Sequence, residues 1–290
     1  MPEPPPIRSY LYAPGSAPRV MEKALAAGAD AVILDLEDGV AAQDKLTARD
    51  QVAAVIAGTG ADAGQELHVR INRGPDGPDL DDLAAVTAPG LTGIRLPKVG
   101  SAAEVQTVAA ALDGLERAAG IPPGTVRLYL SIETAAAALA ATELAAAPRV
   151  ARLVFGATDF LADIASPGAA DGPATLVARG ALVLASRAAG IGAPVDNVHT
   201  ALDDEAGLER EARAARELGF FGKSVIHPRQ IAAVHAVFTP SDEELLAARR
   251  VLDHAQAHGD GATALAGQMI DAAVVARARR LLAMTGRNRG

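Results

Sequence analysis

The sequence predicts an α/β protein, a (β/α)8 TIM barrel followed by a C-terminal helical extension. Short apolar runs rich in leucine or β-branched residues alternate with alanine-rich segments of helical periodicity. Such alternation implies right-handed βαβ units and a parallel sheet, and eight strand–helix units are typical of this barrel. We therefore predict a catalytic barrel over residues 1–238 and a helical lid or oligomerisation extension over residues 239–290. An open, doubly wound sheet is the alternative architecture.

Eight segments have the character of strands buried on both faces. Each is a nearly continuous apolar run that ends at a polar residue or a turn. The predicted strands are Arg8–Pro14, Asp30–Asp38, Glu66–Asn72, Gly93–Val99, Arg127–Glu133, Arg152–Asp159, Ala193–Val198 and Phe221–Pro228.

Helical periodicity is clearest in four segments between the strands. These are Arg19–Ala27, Ala102–Arg117, Thr175–Ala189 and Glu205–Leu218. In the extension, Ser241 and Glu244 have the spacing of a capping box within a helix predicted over Thr239–Gln256. A flexible segment, His258–Gly267, precedes a last amphipathic helix predicted over Met269–Met284.

The composition excludes several classes of function. The 27 basic and 35 acidic residues give a net charge of −8, and aromatic residues make up only 3 %, so we expect no nucleic-acid partner. The absence of cysteine excludes disulfides, thiolate metal sites and a cysteine nucleophile. No export signal and no apolar run of membrane-spanning length is visible. We expect a cytoplasmic protein with no membrane partner.

Charged or polar side chains close nearly every predicted strand. In a barrel the carboxyl ends of the strands meet at one mouth, where catalytic groups gather. A charge at a single strand end is commonly a solvated rim, but several converging charges indicate a site. The strand-end residues are Glu37, Asp38, Arg70, Lys98, Glu133, Asp159, Asp196 and His227.

Glu133 and Asp159 end the fifth and sixth predicted strands, which should lie about 4.8 Å apart. Both carboxylates can therefore reach one cation, and oxygen ligands alone favour Mg²⁺, with Mn²⁺ as a substitute. Beside them, the backbone N–H groups of Gly156 and Ala157 can hold a substrate carboxylate. The alternative is that Glu133 is an ordinary helix N-terminal carboxylate and Asp159 caps a loop.

Three basic residues are candidates for binding anionic groups. Arg70 lies between Val69 and Ile71, so its planar fork is presented from a buried strand and suits a carboxylate. A salt bridge inside the barrel to Glu37 or Asp38 is the competing role, and both roles can hold together. Arg19 and Lys23, four residues apart on the first helix, can clamp phosphates or simply be solvated.

Several motifs occur in an order that resembles one known family. They are LYAPGS, LDLEDGV, VRIN, LPKV, the Glu-Thr of SIET, FGATDF, GKSVIHPRQI and GQMID. The chain resembles the citrate lyase beta-subunit-like proteins of the aldolase/citrate lyase superfamily, which also includes malyl-CoA and citramalyl-CoA lyases. The resemblance extends from about Arg8 to Leu282.

This resemblance implies a Mg²⁺-dependent TIM barrel that cleaves or forms a carbon–carbon bond between an acyl-CoA enolate and an α-keto acid. Glu133 and Asp159 match the family's metal ligands, and Arg70 matches its substrate-binding arginine. Thr158 stands where the family frequently has glutamate, which leaves the metal ligand intact but puts the hydrogen bonds around it in doubt.

The resemblance also assigns contacts with coenzyme A. Tyr12, Arg19 and Lys23 match positions that contact the CoA moiety, although a lysine is common at the position of Arg19. Ile226 and His227 match a stretch that lines the thioester pocket.

Asp271 in GQMID matches an aspartate that a neighbouring subunit contributes as the acid/base. The resemblance therefore favours a homotrimer, or a hexamer of two trimers. The alternative is that Asp271 serves only as an N-terminal carboxylate of the last helix.

Two rival functions remain open. Metal-dependent aldolases for free 2-keto-4-hydroxy acids carry a histidine base in an Asp-x-Glu-His motif after the second strand, whereas Asp35–Gly39 contains none. A citryl-ACP lyase-type subunit of a multi-chain citrate lyase would act on an acyl-carrier-protein thioester. The sequence leaves open the acyl group, the keto acid and the physiological direction.

Overall fold

The computed structural model describes residues 6–59, 65–258 and 262–284. The chain divides into two compact units, one of residues 7–236 and one formed mainly by the residues from 237 onward. The sequence places the boundary between residues 238 and 239, and the assignment of a separate function to each part stays a prediction.

The first unit is built around a parallel sheet. Over the described residues, seven strands pair in the order β8-β7-β6-β3-β2-β1-β9, and a separate antiparallel pair is formed by β4 and β5. The strands are β1 (Ser9–Pro14), β2 (Ala31–Asp35), β3 (Glu66–Arg70), β4 (Arg73–Gly74), β5 (Gly77–Pro78), β6 (Gly93–Leu96), β7 (Arg127–Ile132), β8 (Val150–Phe155) and β9 (Lys223–Val225).

Two isolated bridges connect the ends of this sheet. Val195 pairs in parallel with Val154 of β8, and Asp196 pairs in parallel with Lys223 of β9. Residues 195–196 therefore take the place of the seventh strand of an eight-position barrel. The predicted α/β fold class and TIM-barrel architecture are confirmed, whereas an open doubly wound sheet does not fit these pairings.

The strands are buried because their sequences are apolar on both faces. Every residue of β2 and of β8 is buried. Parallel strands require this pattern, since one face meets the barrel interior and the other meets the surrounding helices. The carboxyl ends of these strands consequently stand out as the places where charged side chains begin.

Helices follow the strands along the chain. Their N-termini are capped as the sequence dictates: Ser101 accepts a hydrogen bond from Glu104 N, and Asp204 from Gly207 N. The described residues contain no helix with both the length and the apolar character needed to cross a bilayer. The helices are α1 (Pro18–Leu25), α2 (Lys45–Thr59), α3 (Leu80–Val86), α4 (Ala102–Ala118), α5 (Ala135–Leu139), α6 (Ala141–Ala145), α7 (Ala157–Asp163), α8 (Pro173–Ala189), α9 (Glu205–Leu218) and α10 (Gln230–Phe238).

Most predicted strands extend beyond the strands of the structure, and three of them show why. The strand predicted over Arg152–Asp159 ends at Phe155, because the chain turns into α7 with Gly156 as its N-cap. The strand predicted over Ala193–Val198 is reduced to the two bridges, and that over Phe221–Pro228 is reduced to β9. Apolar residues in the loops next to a barrel resemble strand residues in the sequence, since loop and strand residues there are both buried.

The C-terminal unit contains α11 (Asp242–His258), β10 (Thr263–Leu265), β11 (Gln268–Ile270) and α12 (Ala272–Ala283). The capping box is confirmed, because Ser241 N donates to Glu244 Oε2 and Glu244 N donates to Ser241 Oγ. The predicted flexible segment is partly wrong: β10 and β11 form an antiparallel hairpin that includes Met269. Residues 259–261 of that segment lie outside the described residues.

Candidate active site

The carboxyl ends of the barrel strands surround a cavity of about 390 Å³. Its apolar wall includes Val154, Phe155 and Ile226. This is the face where TIM barrels carry their reactive groups. The polar side chains that line it are those of Tyr12, Asp35, Asp38, Arg70, Ser131, Glu133, Thr158, Asp159, Asn197 and Ser224.

The two carboxylates of the predicted metal site line this cavity together. Glu133 directly follows β7 and is only 6 % exposed. Asp159 does not end a strand, as the sequence analysis expected, but lies in the first turn of α7, just beyond the adjacent strand β8. Burial, and then the nearby charge of Asp159, raise the pKa of Glu133 to about 7.

The donor set fits a hard divalent cation. A buried carboxylate facing a second one is unfavourable in its charged form unless a cation compensates both. Within residues 6–59, 65–258 and 262–284, no three His, Asp or Glu side chains form a larger metal cage. Mg²⁺ commonly takes one or two protein carboxylates and completes its shell with water and substrate oxygens. Glu133 and Asp159 therefore suit Mg²⁺.

Backbone groups hold Glu133 on two sides. Lys98 N donates a 2.9 Å hydrogen bond to its Oε2. On the other side Gly156 lies so close that an added Cβ would overlap Cγ of Glu133 and lie 2.8 Å from its Oε1. Glycine is required here by the approach of the side chain, since Gly156 itself has an ordinary φ of −106°.

We expect Gly156→Ala to weaken Mg²⁺ binding, because the new Cβ must push the Glu133 carboxylate out of its place. A displacement of about 1 Å at a reacting centre costs on the order of 10²-fold in rate. Calorimetric titration with Mg²⁺ and a thermal melt would separate the local effect from unfolding.

Gly180→Ala is the matched control for this variant. Gly180 lies within α8, and a Cβ added there meets nothing within 4 Å. We expect this substitution to leave Mg²⁺ binding unchanged. Equal Mg²⁺ affinities of the Gly156→Ala variant and the wild type would contradict the inferred role of the close approach.

Arg70 is fixed by an acidic cluster at the same mouth. Its Nε and Nη2 donate to the two oxygens of Asp35 at 2.7 and 2.6 Å, and its Nη1 lies 2.9 Å from Glu37 Oε2. Asp38 is more distant, with 4.0 Å between Nη1 and its Oδ2. The competing structural role is therefore present, with Asp35 as the main partner, which the sequence analysis did not name. Arg70 nonetheless lines the cavity.

Lys98 connects this cluster to Glu133. Its Nζ donates to Glu37 Oε1 at 2.7 Å, while its backbone N–H binds Glu133. Partial burial opposes the charged amine, but the hydrogen bond that it donates to Glu37 and the charges of Glu37 and Asp38 outweigh this effect and raise the pKa of Lys98. Lys98 has a φ of 47°, a left-handed conformation that aims its backbone N–H and its side chain at these two partners.

The structure brings only part of the predicted CoA-contacting set to the cavity. Tyr12 and Ile226 line it. Arg19 and Lys23 are exposed on α1 and are not among the lining residues. His227 lies next to the wall, where its Nδ1 accepts a hydrogen bond from Arg229 N. Their contacts with CoA stay predictions.

The predicted carboxylate-binding turn is also altered. Ala157 begins α7 and, like Gly156 and Thr158, lines the cavity. Gly156 N, however, donates to the carbonyl oxygen of Ile132 at 3.1 Å. The Gly156 N–H is therefore engaged within the fold, and the prediction that it holds a substrate is wrong for this group.

Asp271 belongs to the C-terminal unit. It is the N-cap of α12, and its Oδ1 accepts a hydrogen bond from Val274 N at 2.9 Å. The alternative reading, a helix N-terminal carboxylate, describes this geometry. A capping carboxylate keeps a second oxygen, so the cap and an acid/base role are compatible.

Four polar residues of the cavity lining were not singled out from the sequence. Asp35, Ser131, Asn197 and Ser224 line the cavity, and all are buried. Asp35 carried a signal, since it is the first of three acidic residues in LDLED. Ser131 and Ser224 had none, because a serine in an apolar strand reads as ordinary packing.

Two family models match the chain. One, described as HpcH/HpaI aldolase/citrate lyase, matches residues 8–228. The other, described as a C-C bond lyase of the TIM-barrel fold, matches residues 179–283. Together they cover both compact units.

Individual relatives match over nearly the whole chain. The citrate lyase subunit beta of Leuconostoc mesenteroides subsp. cremoris is 37 % identical over 286 residues, covering 97 % of this chain and 94 % of its own. A (3S)-malyl-CoA thioesterase of Cereibacter sphaeroides is 37 % identical over 282 residues, covering 96 % of this chain and 94 % of its own. Among solved structures, CitE from Mycobacterium tuberculosis in complex with magnesium, acetoacetate and coenzyme A is 36 % identical in sequence, with a TM-score of 0.78. The match covers 96 % of this chain and 98 % of that chain.

Proposed function

The chain belongs to the HpcH/HpaI aldolase/citrate lyase family, and on that premise we propose that it is a Mg²⁺-dependent carbon–carbon lyase. It cleaves, or forms, a 3-hydroxy-acyl-CoA thioester such as malyl-CoA, citramalyl-CoA or citryl-CoA, with an acyl-CoA and an α-keto acid as the other partners. The observation that carries this proposal is the pair Glu133 and Asp159 beside Arg70 in one cavity at the barrel mouth.

Glu133 and Asp159 are the residues that would hold the ion, with Mn²⁺ as a substitute for Mg²⁺. Bound there, the metal supplies Lewis-acid stabilisation of negative charge on the oxygen of the keto-acid fragment. The chain's own contribution is to present the Glu133 carboxylate rigidly beside Asp159, through Lys98 N and the close approach of Gly156.

Arg70 binds the keto-acid fragment in this proposal. Asp35 accepts hydrogen bonds from Nε and Nη2, and Glu37 Oε2 lies 2.9 Å from Nη1, so the two carboxylates hold the guanidinium plane in place. The Nη hydrogens that Asp35 does not occupy are the groups that bind a substrate oxygen. The structural and the substrate-binding roles are thus compatible, because the first orients the fork that the second uses.

We expect Arg70→Lys to lower kcat/KM by about 10²-fold or more, although the charge is kept. An ammonium is a point charge that cannot bind both oxygens of Asp35, contact Glu37 and still face the substrate. Steady-state kinetics with the best thioester would measure the loss of kcat/KM, and a thermal melt would measure any loss of stability. Near-normal turnover would return Arg70 to a purely structural role.

The proposed activity is tested by incubating the protein with malyl-CoA, citramalyl-CoA and citryl-CoA, with and without Mg²⁺. Release of keto acid without free thiol indicates carbon–carbon cleavage, whereas release of free CoA indicates hydrolysis, the activity in the name of the Cereibacter relative. Turnover that persists after removal of divalent metal, or no cleavage of any of the three, would contradict the proposal.

A multi-chain citrate lyase is the second candidate, since a citrate lyase subunit beta is among the most similar relatives. Purification of the chain from its source with tightly bound partner chains, and activity only on an acyl-carrier-protein thioester, would favour it. A 2-keto-4-hydroxy acid aldolase fits less well, because the loop after β2 contains no histidine between Asp35 and Gly39.

Assembly and location belong to the same proposal. We propose that the protein forms a homotrimer, or a hexamer of two trimers, in the cytoplasm. Asp271 of one subunit then serves as the acid/base at the cavity of a neighbouring subunit. Arg19 and Lys23 are exposed on the helix that follows β1, and they are proposed to contact the CoA phosphates. Light scattering of the purified protein would give the number of chains.

A further inference from the structure

A fully buried arginine contacts the side chains that line the cavity. Arg95, in the middle of β6, has no exposed surface. Arg179, another buried arginine of this unit, lies against the carboxylate of Asp196. The hydrogen bonds of Arg95 instead go to two hydroxyl groups, and among the described residues its Nε and Nη2 have no hydrogen-bond partner. Such a cation is expensive to bury, which calls for a functional explanation.

The two hydroxyl groups belong to the cavity lining. Arg95 Nη1 donates to Tyr12 Oη at 3.2 Å and to Ser224 Oγ at 3.3 Å. The guanidinium also stacks on the ring of Tyr10, 4.7 Å from its centroid, which fixes its orientation. Arg95 does not itself line the cavity, but it contacts two residues that do, Tyr12 and Ser224.

This contact decides which way the hydroxyl hydrogens point. A guanidinium has donors only, so each hydroxyl accepts from Arg95 and keeps its own hydrogen for another acceptor. The adjacent cation also polarises the O–H bond and strengthens it as a donor. The ring of Tyr12 is further held by Arg70, whose guanidinium carbon lies 5.0 Å from its centroid.

We propose that Arg95 is a positioning residue that fixes the hydroxyls of Tyr12 and Ser224 as hydrogen-bond donors to an oxygen of the keto-acid fragment. This inference rests on the proposed function and deepens it. Resemblance assigns Tyr12 to the CoA contact only, whereas the contact with Arg95 gives its hydroxyl a separate role toward the keto acid. The substrate fragment at this wall must therefore carry an oxygen acceptor.

A double-mutant cycle tests whether Arg95 acts through Tyr12. The variants are Arg95→Met, Tyr12→Phe and the combination of the two. The readout is the affinity for oxaloacetate at saturating Mg²⁺, measured by calorimetry. We expect each single change to weaken binding about tenfold. The double variant should bind oxaloacetate no more weakly than the single variant of lower affinity. Once one partner of the interaction is gone, removing the other costs nothing more.

Arg152→Met is the matched control. Arg152 is also a buried arginine, but its Nη1 donates to the backbone carbonyls of Ala193 and Phe221. Its effect on binding should be small and should add to that of Tyr12→Phe. If Arg95→Met does not fold, Arg95→Lys completes the cycle, because one ammonium cannot hold both hydroxyls in the same geometry. Thermal melts identify the folded variants.

Kinetics provides the second readout. Loss of these donors should raise KM for the keto acid in the condensation direction more than it lowers kcat, whereas a general loosening of the barrel would affect both. Additive effects in the cycle, or wild-type affinity in Tyr12→Phe, would overturn the inference. Keto-acid binding without cleavage of any thioester would count against the lyase reaction and leave the role of Arg95 standing.

Discussion

Glu133→Ala should abolish Mg²⁺-dependent cleavage, with a loss of about 10³-fold or more, and Asp159→Ala should do the same. Each residue supplies oxygen to one ion, and the described part of the chain offers no third carboxylate or histidine grouped with them to compensate. Calorimetric titration should show that Mg²⁺ affinity falls together with turnover. Activity that persists in either variant would place the metal elsewhere.

The control variants separate chemistry from folding. Glu143→Ala removes a glutamate that is exposed on α6, and we expect wild-type kinetics from it. Glu133→Gln keeps the shape of the buried side chain and removes its charge. In magnesium-free buffer this variant should melt no lower than the wild type, because burial and the charge of Asp159 disfavour the charged form of Glu133.

The barrel was predictable because its strands are apolar on both faces, a pattern that few other elements share. β2 and β8, buried at every residue, were located to within a few positions of their ends. The length of the strand at the seventh position of the barrel was overestimated, since residues 195–196 contribute only two bridges. The hairpin of β10 and β11 was missed because its sequence, with Gly267 at the turn, resembles a flexible linker.

The candidate site was predictable where a charge interrupts an apolar run. Glu133, Asp159 and Arg70 stood out for that reason, and all three line the cavity. The contact of Arg70 with Glu37 was predicted and is present at 2.9 Å, but the main partner, Asp35, was not predicted because the loop conformation decides which carboxylate meets the other two nitrogens. In the structure Asp35 accepts from the N–H groups of Glu37 and Gly39, and this turn aims both its oxygens at Arg70.

Sequence order also hides which polar residues act through others. Arg95 was read as part of an apolar strand, and its contacts with Tyr12 and Ser224 join residues 83 and 129 positions away along the chain. Contacts of this kind depend on closure of the barrel, and periodicity within one strand carries no information about them. The charged residues Glu133, Asp159 and Arg70 could therefore be predicted, whereas Arg95, which acts through two hydroxyl groups, could not.

Asp271→Asn should lower turnover by about 10²- to 10⁴-fold if Asp271 is the acid/base of the proposed reaction. The asparagine keeps the N-cap of α12, because its side-chain oxygen can still accept from Val274 N. The variant should therefore fold and assemble normally, which light scattering and a thermal melt would verify. Full activity in this variant would leave Asp271 with its capping role alone.

Complementation between two inactive chains tests whether Asp271 acts on a neighbouring subunit. A 1:1 mixture of Asp271→Asn and Glu133→Ala chains, dissociated and reassembled, should recover about one quarter of wild-type activity, since one site in four then combines an intact barrel with an intact tail in a cyclic oligomer. A mixture of Glu133→Ala and Asp159→Ala chains is the negative control, because both lesions lie in the same cavity. If the first mixture stays as inactive as this control while both chains assemble, Asp271 acts within its own subunit or not at all.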